Sequence, residues 1–292
     1  MKDYKYRPLD GLLVIKKEEI SNADILSVVT YSEEKIKSSP SGRVTQLALL
    51  FYCLKILKDT SIPFYVKGGI IQHFYLKEEC RPTYDLDIII PSDSDILIKE
   101  LEERLNALHD TLSFVVKKYR KNPPHEGYFY ETFNVEITIK NGEEDFSKMS
   151  IDGIINPSIF NSISPLEYEI PEIIAPNLTF KGVPIEYVLA EKITAITNEL
   201  ARPYKHLVDV YSLIKLDINI PLLKKYLQMI LDNDNEVRSK LNNELTHYVY
   251  QIKEDKEFVG SYLFTALQAG YVVSLKEMID TVNKWLTNNI EK

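Results

Sequence analysis

The sequence predicts an α+β protein of 292 residues: a mixed-sheet core over residues 1–180, opened by helices, and an all-helical domain over residues 181–292. Three observations carry this. Short apolar, β-branched runs cluster between Ile62 and Ile155 and follow one another with few helices between them, which is the pattern of an antiparallel or mixed sheet. Before that cluster and after Pro184, apolar residues recur at three- and four-residue intervals, the period of a helix with one buried face. The length, against a prior of about 150 residues per domain, accommodates two domains or one domain with a large extension.

From Ser21 to about Lys58 the pattern is helical, with Val44, Leu47, Leu50, Phe51, Leu54 and Leu57 on one stripe and Ser39-Pro40-Ser41-Gly42 as a break. Ile62–Val66 reads as a strand that runs into Gly68-Gly69 and a helix, Ile70–Lys77. Tyr84–Ile90 reads as a buried strand ended by Pro91, and Ser94–Leu108 as an amphipathic helix carrying Ile96, Leu97, Leu101, Leu105 and Leu108. Strands are expected at Leu112–Tyr119, Asn134–Lys140 and Met149–Ile155, with turns at Asn122-Pro123-Pro124-His125 and Asn141-Gly142. The proline-spaced stretch Pro157–Pro184 reads as a connector. Helices then follow at Glu186–Leu200, Tyr204–Lys215, Pro221–Leu231, Asn235–Lys253, Glu257–Ala269 and Ser274–Asn289.

Hydrophobic residues make up 45 % and charged residues 27 % of the chain, an ordinary globular balance that excludes disorder and low-complexity architectures. The 35 Lys+Arg against 43 Asp+Glu give a net charge of −8, which argues against a non-specific duplex-DNA binder. The excess acidity lies before Pro176; beyond it the two signs nearly balance. Cys53 and Cys80 have no metal-type spacing and read as reduced thiols. The N-terminus has only the apolar stretch Leu12–Ile15, too short for a signal peptide or a membrane span, so the expected location is the cytoplasm with no membrane partner.

Chemistry concentrates at a few acids and glycines. Asp85 and Asp87 stand two apart on a predicted strand, so both carboxylates share one face while Leu86 and Ile88 take the other. Two acids in apolar surroundings repel and resist desolvation, a cost that a divalent cation offsets; oxygen ligands beside phosphates suit Mg²⁺. The plain alternative is a strand end with two solvated acids. Gly68-Gly69 raises the metal reading, because glycines between strand and helix let a phosphate approach backbone amides. A third acid on a neighbouring strand completes a two-metal phosphoryl-transfer site. Asp152, interrupting the apolar run Met149–Ile155, is the better candidate, and Glu136 in Asn134-Val135-Glu136-Ile137 the rival.

The runs Val66-Lys67-Gly68-Gly69, Arg81-Pro82-Thr83-Tyr84-Asp85-Leu86-Asp87-Ile88, Ile151-Asp152, Glu186–Ile193 and Lys205–Tyr211 together resemble the AbiEii/AbiGii (type IV) toxin family of the DNA polymerase β-like nucleotidyltransferase superfamily. The matches span residues 64–214, about half of the chain. The resemblance implies a nucleotidyltransferase core with Gly68 and Gly69 at the nucleotide phosphates, Asp85, Asp87 and Asp152 as catalytic metal ligands for two Mg²⁺ ions, and Lys192 reaching NTP phosphates. Asp209 matches the second acid of the family's Asp-x-x-Asp element, which the resemblance implies is a fourth catalytic acid, but His206 stands where the first acid is expected. Arg81 and Thr83 are candidates for positioning phosphates, or equally for local bracing. The implied activity is Mg²⁺-dependent transfer of NMP from an NTP to an acceptor, which in relatives can be tRNA, by the toxin of a toxin–antitoxin or phage-defence pair with a cognate antitoxin. The competing expectations are a nucleotide- or protein-binding module that has lost turnover, and a transferase acting on a small-molecule or protein hydroxyl. The basic run Lys117-Lys118-Tyr119-Arg120-Lys121 is either a solvated strand end or a contact for an RNA backbone.

Overall fold

The computed structural model describes residues 50–51, 53–76, 80–81, 83, 85–107, 112–124, 130–169, 179–196, 203–232 and 256–290. The helices expected between Ser21 and residue 49 and over Asn235–Lys253 lie outside these residues. The chain forms two compact units: one holds the described residues up to Ile70 together with Thr83–Pro124 and Tyr130–Val183, the other Ile71–Pro82 and the residues from Pro184 onward.

The first unit is a mixed seven-stranded sheet of order β3-β4-β5-β2-β1-β7-β6. Its strands are β1 (Tyr65–Val66), β2 (Asp85–Ile90), β3 (Leu112–Asn122), β4 (Glu131–Asn141), β5 (Glu144–Ile155), β6 (Leu166–Glu169) and β7 (Thr179–Gly182). β2 runs parallel to β5 and β1 parallel to β7, while the β3-β4-β5 meander and the β1–β2 and β6–β7 pairs are antiparallel. Helix α1 (Gly68–Leu76) starts directly after β1, and α2 (Ser94–Ala107) follows β2.

Alternation explains the sheet's two faces. Leu86, Ile88, Phe133, Val135, Ile137, Ile151 and Phe114 are all buried on one side, where α2 presents its buried Leu97, Leu101 and Leu105. Side chains of α2 also complete the β3 edge: Glu102 Oε1 accepts from Val116 N (3.2 Å), Asn106 Oδ1 accepts from Phe114 N (2.8 Å), and Asn106 Nδ2 donates to Phe114 O (2.9 Å). Buried Leu50, Phe51, Leu54 and Leu57 keep the stripe expected of their helix. Burial pushes the Cys53 thiol up to about 12, so this cysteine is an inert filler of the core.

The stretch Pro157–Pro184 is more than a connector. It contains α3 (Pro157–Ser162), whose N-cap Asn156 accepts from Ile159 N through its side chain, and the β6–β7 pair that extends the sheet past β1. Short strands among prolines carry too little periodicity to be read from sequence. Their packing is nevertheless definite: the Tyr65 and Phe160 rings stack at 4.0 Å, and Tyr168 donates its hydroxyl to Val183 O at 2.9 Å.

The second unit is helical: α4 (Ile185–Ile196), α5 (Pro203–Leu213), α6 (Ile220–Asp232), α7 (Lys256–Gln268) and α8 (Leu275–Asn289). Helix α4 packs on α5 and α6, with Tyr187 edge-on to Tyr226 at 5.5 Å. Helices α7 and α8 both pack on α5, and α8 opens with the Ser274 hydroxyl accepting from Glu277 N, a serine cap with an acid three residues on. No helix among the described residues is long and apolar enough to cross a membrane.

Gly153 gives a test of the sheet packing. A Cβ there would meet the Phe133 ring at 2.1 Å, and overpacking of a well-filled site costs about 1–3 kcal/mol. Gly153→Ala is expected to lower stability by that amount in urea unfolding, and an unchanged midpoint contradicts the Phe133 contact.

Candidate active site

The decisive geometry is a row across four strands. In the β2–β5 pair Asp87 lies beside Asp152, and Asp85 beside Ser150. In the β4–β5 pair Asn134 lies beside Asp152, and in the β3–β4 pair Arg120 lies beside Asn134. Paired positions point to the same side of a sheet, and residues two apart do likewise. Asp85, Asp87 and Asp152 therefore share one face, opposite the side that carries α2. All three are half-buried.

Each acid is held differently. Thr83, itself buried, donates from Oγ1 to Asp85 Oδ1 at 3.2 Å. Gly68 adopts φ +66° beside Asp87, and a Cβ on it would come within 2.1 Å of Asp87 Oδ2. Only glycine takes both that backbone and that approach. Lys67 N donates to Asp87 O at 2.9 Å, which ties the end of β1 to the acid strand. Gly69 has the same intimacy with Thr83, whose Oγ1 would lie 2.3 Å from an added Cβ. The glycine pair is thus the floor against which Asp87 and Thr83 pack, as well as the start of α1.

Asp152 accepts from Asn134 Nδ2 at 2.9 Å, and Asn134 Oδ1 in turn accepts from Asn122 Nδ2 at 3.1 Å. Burial pushes the Asp152 carboxyl above the usual carboxylate range; the Asn134 hydrogen bond opposes this, the neighbouring Asp85 charge adds to it, and Lys67 opposes it. An acid that resists ionisation beside another acid is relieved by a cation. Asn134, Asn122 and Lys67 were not singled out from sequence, because an amide or lysine alternating with apolar neighbours looks like any half-exposed strand. Glu136, the rival third acid, lies one row away beside Ser150, with Lys148 3.7 Å from its carboxylate.

The donor set fits a hard divalent cation: three carboxylates on one face, one of them raised by burial and by like charge, with a glycine cradle beside another. Among the described residues no three His, Cys, Asp or Glu side chains already close around one point. The three acids share a face without forming a closed ligand cage.

A second cluster lies in the helical unit. Asp209, on α5 and 2 % exposed, receives a two-pronged contact from Arg81, Nε to Oδ1 at 2.8 Å and Nη2 to Oδ2 at 3.1 Å, and Lys192 Nζ on α4 lies 3.4 Å from Oδ2. Burial pushes the Asp209 carboxyl up, but Arg81, then Lys192, then the Arg81 hydrogen bond and His206 outweigh it and hold the carboxyl below the usual range. Arg81 and Lys192 keep 18 % and 12 % exposure, so one buried acid holds two partly open cations. The sequence-derived site residues therefore fall into two groups: Gly68, Gly69, Thr83, Asp85, Asp87 and Asp152 in the sheet unit, and Arg81, Lys192 and Asp209 in the helical unit.

Residues 54–285 match the family described as Nucleotidyl transferase AbiEii toxin, Type IV TA system. The chain belongs to that family. It is accordingly a nucleotidyltransferase, and membership implies an NTP substrate and an antitoxin partner. No curated protein matches this AbiEii-family chain. Among solved structures it is similar to JHP933 from Helicobacter pylori, at 14 % identity over 85 % of this chain and 95 % of that one, TM-score 0.42. It is also similar to an antigenic nucleotidyltransferase-like protein from Paracoccidioides brasiliensis, at 14 % identity over 68 % of this chain and 93 % of that one, TM-score 0.39.

Two expectations follow. Gly68→Ala places a methyl where Asp87 Oδ2 lies; Mn²⁺ affinity measured by calorimetry is expected to fall about 10- to 100-fold, the range for residues that orient metal ligands, and unchanged affinity contradicts the cradle. For Asp209, a lowered folded pKa means that its stabilising contribution is complete above the unfolded carboxyl's pKa and is lost as pH falls through the folded value. Asp209→Asn should flatten acid unfolding of the helical unit in that window, and Asp209→Ala should cost about 3 kcal/mol at neutral pH by leaving Arg81 and Lys192 without their shared acid.

Proposed function

We propose that this family member transfers a nucleoside monophosphate from an NTP to an acceptor hydroxyl, releasing pyrophosphate, with Mg²⁺ held by Asp85, Asp87 and Asp152. The observation that carries the reading is the register of these three carboxylates on one sheet face, beside a left-handed glycine that opens a helix. Bound there, a pair of ions supplies charge neutralisation at the α-phosphate and the leaving pyrophosphate, and eases deprotonation of the acceptor. Asp85 and Asp87 ligate, and Thr83 fixes the rotamer of Asp85. Asp152, held through Oδ1 by Asn134, keeps Oδ2 for a metal or for the proton of the attacking hydroxyl. Gly68 and Gly69 let phosphate oxygens reach the amides at the start of α1, where the helix dipole favours negative charge. In the helical unit Lys192 and Arg81, oriented by Asp209, are cations suited to phosphate.

The acceptor in this reading is RNA, with tRNA as the form to try first, and the biological role is that of a toxin in a phage-defence pair restrained by its antitoxin. The family's toxin–antitoxin description supports the role. The cytoplasm is the compartment that supplies NTP and RNA, and it suits two buried, unbridged cysteines. Mg²⁺, each α-labelled NTP in turn and total bacterial tRNA are the reaction to run, with an acceptor-free lane. Label is expected on RNA with the unmodified protein. Asp85→Asn or Asp87→Asn should reduce transfer by at least about 10³-fold, an order set by the several kcal/mol that metal ions contribute to such steps, with the fold retained by circular dichroism. Full activity in either variant sinks the metal assignment, and label on protein redirects the acceptor.

A further inference from the structure

The basic run on β3 does not act as one patch, because a bulge splits it. The register between β3 and β4 shifts between Val116 and Lys118, so Lys117 is the extra residue and the alternation of everything beyond it is reversed. Without the bulge, Lys117, Tyr119 and Lys121 would continue on the side of Val115. With it, Tyr119 and Lys121 turn to α2: the Tyr119 hydroxyl bonds Ser94 and Asp95, and Lys121 Nζ lies 3.0 Å from Asp93 and 3.7 Å from Asp95. Lys117 is held by Asp145 at 2.8 Å.

Lys118, Arg120 and Asn122 are the residues re-aimed to the carboxylate face. Asn122 proves the direction, since its amide bonds Asn134 and Asn134 bonds Asp152; Lys118 and Arg120 stand two and four residues before it on the same side. Both are exposed. Arg120 occupies the Asn134–Asp152–Asp87 row; two interstrand spacings put its Cα about 10 Å from that of Asp152. Lys118 lies beside Glu136, whose charge already faces Lys148. Bulges beside active sites commonly serve to re-aim side chains, and this one brings two cations onto a face whose centre is acidic, in a protein of net charge −8.

We infer that Lys118 and Arg120 form the track for the sugar-phosphate backbone of a single-stranded polynucleotide acceptor, whose terminal hydroxyl reaches Asp152 across Asn134. This deepens the transferase reading and rests on it: the pair sets the acceptor class, while the acids perform the transfer. Two cations successive on one strand face are spaced like successive phosphates of an extended strand and give a small neutral or cationic acceptor nothing to bind. An acidic protein segment would meet the same charges but brings no terminal ribose hydroxyl to Asp152.

The test separates binding from chemistry. A 5′-fluorescein-labelled 12-nucleotide RNA is titrated, without NTP or metal, with the unmodified full chain, with Lys118→Ala/Arg120→Ala, and with Lys99→Ala/Arg104→Ala, which removes equal charge from α2. Each cation that meets a phosphate of a single strand contributes about 0.7 to the slope of log affinity against log salt. The first double variant is expected to lower that slope by about 1.4, equivalent to about 25-fold weaker binding at 0.1 M relative to a 1 M reference, and the α2 variant to match the unmodified chain. Equal binding by the β3 variant, equal loss by the α2 variant, failure of the unmodified chain to bind RNA, or stronger competition by poly-glutamate than by unlabelled RNA would each overturn the inference. Label transfer to RNA that is unaffected by the β3 variant overturns the track and leaves the transferase reading standing. RNA binding that needs the pair, with no transfer from any NTP, supports the track and defeats the transferase reading.

Discussion

The parallel pairing of β2 with β5 is the constraint on which the sheet unit's chemistry depends. It sets Asp87 beside Asp152 and Asp85 beside Ser150, and the flanking isoleucines enforce it, since a slip of one residue would drive Ile88 and Ile151 to the polar face and the acids into the core. Burial of those apolar side chains thus does the positioning, and the acids inherit their geometry from it. The other contacts around these acids are additions: Gly68 under Asp87, Thr83 on Asp85, Asn134 on Asp152.

The same logic governs the helical unit with the signs reversed. A buried carboxylate is costly alone, and Asp209 is tolerated because Arg81 and Lys192 converge on it. The arrangement orders two long side chains that would otherwise wander, and leaves the group with one net positive charge. In the proposed transfer, Asp209 acts through the cations it holds. His206, one helical turn before Asp209 and in place of the acid expected there, adds to the positive field on the carboxylate; with an acid at that position the cluster would be balanced.

Much of this was legible in the sequence where side-chain period alone decides. Asp85 and Asp87 had to share a face, and Gly68-Gly69 between strand and helix had to be a close approach. Asp152 was recognisable as a charge interrupting an apolar strand. Register was not legible, so neither was the row that joins Asp87, Asp152 and Asn134. The β3 bulge was invisible for the same reason, since one extra residue leaves no mark on composition. Pro157–Pro184 hid β6 and β7 because four-residue strands are too short for a period to show, and Asp209 stood out only by its resemblance to the family's Asp-x-x-Asp element, its ion pairs being hidden because the cations that bury with it come from residues 17 and 128 positions away.

The site stands or falls on where a divalent ion and a nucleotide bind. Crystals grown with Mn²⁺ and a non-hydrolysable triphosphate, measured at a wavelength where manganese scatters anomalously, decide it. Anomalous density coordinated by Asp85, Asp87 and Asp152, with the triphosphate over Gly68 and Gly69, is expected. A bound triphosphate whose Mn²⁺ is ligated by other residues would contradict this assignment.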